Sequence, residues 1–160
     1  MKEKIYLSSD HAGYDLKDKI KKYLEDQKYE VIDLGTNNNY DSVSYSEYGK
    51  KLAKNVLNDK GSYGIGVCGT GLGISYSVNR FKGIRGARVT SVEDAKLARE
   101  HNDANVLLFG GRQLNIDQVE KMIDQFFKSK YEGGRHQKRI DELDELDELD
   151  ELDELDELDE

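Results

Sequence analysis

Short apolar runs alternate along the chain with stretches whose apolar residues recur at helical spacing, and this alternation constrains the fold more than any other feature. The runs are KIYLSS (4–9), YEVIDL (29–34), YGIGVC (63–68), RGARVT (85–90) and NVLLFG (105–110). Each has the length and β-branched or aromatic content of a buried strand. Between them, Leu16, Ile20 and Leu24 mark a first helical stripe, and Tyr48, Leu52, Val56 and Leu57 a second. Ala95, Leu97 and Ala98 mark a shorter one, and Val119, Ile123, Phe126 and Phe127 the last. Strands that alternate with helices make βαβ units with right-handed crossovers and a parallel sheet covered on both faces. The expected fold is therefore α/β: a three-layer α/β/α sandwich, Rossmann-like, with about five parallel strands.

Length and charge set the domain plan. With 160 residues the chain has material for one core. From Asp141 onward it is a strict Asp-Glu-Leu repeat. A leucine every third residue drifts by about 60° per repeat on an α-helix and holds no constant face. We therefore read 1–140 as the folded domain and 141–160 as an acidic, solvated tail with no catalytic role. The tail also explains the net charge of −9. Its 14 acids belong to a total of 33, so the body carries 19 acids against 24 bases. A mildly basic body suits an anionic ligand, although lysines on solvated helix faces give the same balance.

No apolar run is long enough to span a membrane, and the N-terminal residues lack the apolar segment of a signal peptide. A single cysteine cannot form an internal disulfide, so a cytoplasmic location is expected. No Cys/His cluster has zinc-like spacing, and neither a metal nor a cofactor is expected. Nothing points to nucleic acid.

In open α/β sheets, ligands bind outside the carboxyl ends of the strands. The third run ends in CGTGLG, residues 68–73, which contains that single cysteine. Gly69, Gly71 and Gly73 would let backbone N–H groups approach a ligand. A helix starting near Leu72 would add unpaired N–H groups for an anion. Familiar phosphate loops do not fit. A Walker loop needs Lys where Leu72 stands, and a C-x5-R phosphatase loop needs Arg where Ile74 stands. A dinucleotide fingerprint needs more glycines than SSDHAG offers after the first strand. A thiol at a helix start is activated as nucleophile or base. Beside an anion cradle, such a base suits proton abstraction next to a carbonyl. A lone strand-end cysteine is more often packing, and here the glycines tip the balance.

Other polar residues are expected at the same edge. Asp10 and His11 follow the first strand, and His101 and Asn102 lie between a helical stripe and the fifth strand. Arg135, His136 and Arg139 fall in GGRHQKR, where the two arginines, four apart, share one helix face and can clamp a phosphate.

The segments SSDHAGYDLK, YEVIDLGT, GVCGTGLGIS, GIRGARV, AREHNDANVL and EGGRHQKRI resemble, in order, the type B ribose-5-phosphate isomerases of the ribose/galactose-phosphate isomerase family. The match runs from Met1 to Ile140. The resemblance implies metal-free interconversion of an aldose phosphate and a ketose phosphate, ribose 5-phosphate and ribulose 5-phosphate, in the pentose phosphate pathway. It implies that Cys68 moves the proton between C1 and C2, with Thr70 beside it and the backbone of Gly69, Gly71, Leu72 and Gly73 holding the enediolate. It implies that His101, with Asp10 nearby, assists opening of the furanose ring. Tyr45 and Asn102 would hold substrate oxygens, and His11, Arg112, Arg135 and Arg139 the phosphate. It implies a homodimer, or a tetramer of such dimers, with active sites shared between subunits.

The chain departs from the family at Ser44-Tyr45-Ser46, where Asp-Tyr-Pro is usual. A family branch that lacks the cysteine carries Glu at the position of Ile74, so Cys68 is the candidate base in this loop. Galactose 6-phosphate or allose 6-phosphate is the alternative substrate within the family. A non-catalytic phosphosugar-binding regulatory domain is the alternative outside catalysis.

Overall fold

The expected alternation is realised as strand, helix, strand from end to end. The structure, a computed structural model, describes residues 2–145. β1 (Lys4–Ser9) leads through a 3-10 turn (His11–Gly13) into α1 (Tyr14–Asp26). β2 (Glu30–Asp33), α2 (Tyr45–Asn58), β3 (Tyr63–Cys68) and α3 (Leu72–Val78) follow. β4 (Gly86–Arg88), α4 (Val92–Glu100), β5 (Val106–Gly110) and α5 (Ile116–Lys128) complete the domain. Residues 135–145 are helical, across the 140/141 boundary drawn from sequence, and 146–160 of the repeat lie outside the described residues.

All five strands are parallel, in the order β2-β1-β3-β5-β4. Side-chain alternation divides the core between the two faces. Ile5, Leu7, Ile65, Val67, Leu107 and Phe109 pack against α1, α4 and α5. Tyr6, Cys68, Val106 and Leu108 face α2 and α3. This is the three-layer sandwich expected from sequence. The β1 and β3 runs match their strands residue for residue, whereas β2 and β4 are shorter than their runs. Both are edge strands, paired on one side only.

The helix stripes are buried as read, at Leu16, Ile20 and Leu24 in α1 and at Val119, Ile123 and Phe126 in α5. Burying each such side chain contributes about 1.5–3 kcal/mol. Leu57 departs from its stripe and is 42% exposed. Caps fix where helices start: Ser91 Oγ accepts from the Asp94 N–H, and Asn115 and Gln118 form a capping box on α5. Lys17 is buried, with its ammonium 2.6 Å from Asp33 Oδ1. The same oxygen accepts the Gly35 N–H at 2.9 Å, so this pair fixes the chain as it leaves β2.

The strand order reverses direction between β1 and β3. Connections run outward to β2 on one side and to β5 and β4 on the other. The carboxyl ends of β1 and β3 therefore flank the crevice where parallel sheets of this kind hold ligands.

Candidate active site

Cys68 ends β3 at that crevice, on the sheet face covered by α2 and α3, and is 4% exposed. The chain turns over the sulfur at once. Gly71, at φ +78°, points its N–H to Cys68 Sγ at 3.2 Å. That left-handed conformation suits glycine, and a Cβ there would also stand 3.0 Å from the Phe109 backbone. Thr70 Oγ1 accepts the Leu72 N–H at 3.2 Å as α3 begins. A helix does start at Leu72, and the amides of Gly71 and Leu72 are already engaged.

The neighbouring strand ends close around this loop. The Gly111 N–H donates to Cys68 O at 2.8 Å and the Arg112 N–H to Gly69 O at 3.0 Å. The Arg112 guanidinium lies over Gly69, where a Cβ would come 3.2 Å from a terminal nitrogen. Asp10 is 6% exposed; its N–H reaches Val67 O, and its carboxylate caps the 3-10 turn by accepting the Gly13 N–H at 3.0 Å. Gly13 is seated so tightly on β3 that a Cβ would meet Val67 O at 2.3 Å.

His11 sits on that turn, and its Nδ1 accepts the Val43 N–H at 3.1 Å. A neutral ring with Nδ1 accepting carries its proton on Nε2, which is then a donor for a ligand. Ser44 replaces the usual aspartate without loss of the cap, because its Oγ accepts the Ser46 N–H at 3.1 Å. Tyr45 opens α2, half exposed, with its ring over Gly73.

Arg88 was missed from sequence. Its Nε donates to Thr70 O at 2.8 Å, and a terminal nitrogen donates to Gln113 Oε1 at 2.8 Å. It stands at the carboxyl end of β4, where the strand-end rule places ligand-facing residues.

One expectation is overturned. His101 and Asn102 do not share this edge with Asp10 and Cys68. A helix between parallel strands runs back across the sheet, so α4 ends at the amino edge, from which β5 departs. Arg85, just before β4, donates to Asn102 O at 2.9 Å and fixes that placement. The five residues of β5 separate the two edges by about 15 Å at ~3.3 Å per residue. His101, Asn102, Arg135, His136 and Arg139 instead line a cavity of about 280 Å³ of their own. One chain therefore presents two groups: the thiol, its loop, Asp10, His11, Tyr45 and Arg112 at one edge, and two histidines, an asparagine and two arginines at the other.

The second group contains three residues that could hold a metal. Among the described residues, His101, Glu132 and His136 bring three ligand atoms within 4.8 Å of one another. The imidazoles, however, stack at 4.5 Å with an 18° tilt. Their in-plane lone pairs run in nearly parallel planes and do not meet at one ion, as tetrahedral coordination needs. The arrangement is that of two rings sharing one carboxylate.

Comparison with known proteins accords with this geometry. The ribose/galactose isomerase family model matches residues 5–143. A Mycoplasma pneumoniae protein, named a probable ribose-5-phosphate isomerase B, is 41% identical, covering 89% of this chain and 94% of its own. The Clostridium thermocellum ribose-5-phosphate isomerase B structure has a TM-score of 0.88 at 43% identity, covering 91% and 97%. The Mycoplasma genitalium ribose-5-phosphate isomerase B structure, with ribulose 5-phosphate bound, has a TM-score of 0.87 at 37% identity, covering 92% and 98%. With the family model matched along almost the whole domain and the fold shared with solved members, this chain belongs to the ribose/galactose isomerase family.

Proposed function

We propose that this protein interconverts D-ribose 5-phosphate and D-ribulose 5-phosphate, with Cys68 as the base. The observation that carries the reading is the Cys68 sulfur at the β1/β3 crevice beneath the Gly71 N–H. The sulfur takes the proton from C2 of the open-chain aldose and returns it to C1, while the hydroxyl proton passes from O2 to O1, so that C2=O replaces C1=O. Between the two steps the substrate is a 1,2-enediolate. Loop amides stabilise its oxygens, Leu72 by turning from the Thr70 hydroxyl to the substrate. Asp10 and Tyr45 stand beside the sugar chain.

The second group completes the site from another copy of the chain. His101 moves the protons that open the furanose, Asn102 holds a sugar hydroxyl, and Arg135 and Arg139 join His11 and Arg112 on the phosphate. The separation of the two groups supports a shared site, because neither alone has both the base and the arginine pair. A two-fold axis would bring the thiol edge of one protomer to the histidine edge of its partner, twice per dimer. The exposed apolar side chains of Leu72 and Tyr76, both in α3 beside the thiol, give such a partner a surface to cover.

Cytoplasmic location is part of this proposal, supported by the free, buried Cys68. No helix among the described residues is long and apolar enough to cross a membrane. A coupled assay of the purified protein on ribose 5-phosphate, galactose 6-phosphate and allose 6-phosphate tests the reading. Turnover of ribose 5-phosphate with the highest kcat/KM is expected. A preference for either hexose phosphate would move the substrate assignment, and binding without turnover of any of the three would leave a phosphosugar-binding domain.

A further inference from the structure

Glu132 has no part in the reading above, yet it faces the histidine on which ring opening depends. Its Oε1 lies 3.5 Å from His101 Nε2 and 3.6 Å from His136 Nε2. Its backbone is pinned: the Glu132 N–H donates to Glu100 O at 3.0 Å, directly before His101. Three segments thus converge, namely the end of α4, the strap after α5 and the helical residues from 135. The two imidazoles are stacked, which limits rotation of the His101 ring.

Arg135 and Arg139 line the cavity beside His101, and the His136 ring lies against the His101 ring. Asp103, two residues on, is taken up by Arg85 and Arg99. Glu132 is the acid in place to offset a positive charge on this imidazole.

We infer that Glu132 is a positioning residue that orients His101 and supports its transient imidazolium during ring opening. The inference rests on the ring-opening role of His101. By accepting the Nε2 proton, Glu132 leaves the Nδ1 lone pair free as the base. His101 Nδ1 takes the proton of the C1 hydroxyl, C1=O forms, and the C1–O4 bond breaks with its electron pair going to O4. The imidazolium then returns the proton to O4, so no external acid, oxidant or reductant is needed. At 3.5 Å the Glu132–His101 contact is longer than a hydrogen bond, and contacts of this kind tighten when substrate binds.

This role is separable from proton transfer at Cys68. Ribulose 5-phosphate cannot form a furanose, because its C5 oxygen carries the phosphate, so exchange of its C1 proton with solvent bypasses ring opening. Glu132→Gln should lower kcat on ribose 5-phosphate about ten- to hundredfold, the usual cost of removing such a partner. It should leave the rate of C1 proton exchange of ribulose 5-phosphate in deuterium oxide, followed by NMR, within about twofold of wild type. If the wild-type enzyme shields that proton from solvent, erythrose 4-phosphate replaces it. This aldose phosphate also lacks a free hydroxyl for a furanose, and its turnover should survive the substitution. Equal losses on both kinds of substrate would show a merely structural role and overturn the inference, as would an unchanged kcat on ribose 5-phosphate. His101→Ala serves as the reference. If it leaves ribose 5-phosphate turnover intact, the ring-opening role itself has failed, whatever Glu132→Gln does.

Discussion

The Tyr45 ring lies directly over Gly73, so that a Cβ on residue 73 would stand 2.8 Å from two ring carbons. This contact joins the first turn of α2 to the first turn of α3 at the mouth of the thiol crevice. Gly73 has ordinary helical neighbours, so alanine is tolerated by the backbone and the clash falls on the ring. Tyr45 is 47% exposed and can swing outward. Gly73→Ala should therefore keep the melting temperature near that of wild type while Tyr45, in the role proposed for it, loses its hold on the substrate. One lost hydrogen bond, worth roughly 0.5–1.5 kcal/mol, predicts a two- to tenfold rise in KM for ribose 5-phosphate. Steady-state kinetics beside a thermal melt would expose the opposite result, a large drop in stability at unchanged KM.

Cys68→Ala should abolish isomerisation while leaving the fold intact. The substitution removes one sulfur from a buried strand end and frees one buried amide, the Gly71 N–H, next to exposed Thr70. Loss of the general base should lower kcat by about 10²–10⁴. A variant that keeps more than about a tenth of wild-type kcat would identify another base, since that loss is under ~1.4 kcal/mol.

Truncation after Glu145 should leave kcat, KM and assembly unchanged. The family match stops at residue 143, and Arg139 is the last residue placed in the site. Ile140 is buried and Leu143 and Asp144 line a cavity beside Phe81 and Arg85, so the cut must fall beyond them. Loss of activity or a change in sedimentation on truncation would give the repeat a role that the proposed site does not assign it.

Much of the fold was legible because strand and helix periods differ so clearly in this chain. β1 and β3 were readable to the residue, as central strands with uninterrupted apolar runs. The order of β4 and β5 was not, because nothing in RGARVT or NVLLFG says which one sits at the edge. The thiol half of the site was legible from the strand-end rule, as Asp10, His11, Cys68 and its glycines show. The error over His101 came from treating a helix-to-strand connection as if it lay at the same edge as a strand-to-helix one. Glu132 left no local signal. Its contact with His101 spans thirty-one positions and depends on the strap after α5 folding back onto α4.

Away from the site, Asp59 should mark the acid limb of stability. It pairs with Lys4 Nζ at 2.8 Å and accepts from the Tyr6 hydroxyl at 2.7 Å. These contacts, the Lys4 one foremost, hold its carboxyl below the ordinary value of 3.8. A carboxylate with a lowered folded value stabilises fully above its unfolded value and loses that contribution as pH falls through the folded one. Asp59→Asn should therefore melt lower than wild type near pH 7, with the two curves converging as pH falls from 3.8 through the lowered folded value. A difference that persists unchanged into acid would show that the carboxylate charge is not the cause.

The shared site is the central claim, and complementation between two disabled chains tests it most directly. One chain carries Cys68→Ala. The other carries Arg135→Ala and Arg139→Ala and is assayed well below its raised KM. Mixed under conditions that exchange subunits, half of the dimers are hybrids. Each hybrid has one site with both lesions and one with neither, so activity should recover to about a quarter of wild type at equal mixing. If the sites are confined to single chains, no mixture exceeds the sum of its inactive components, and that result would contradict the account.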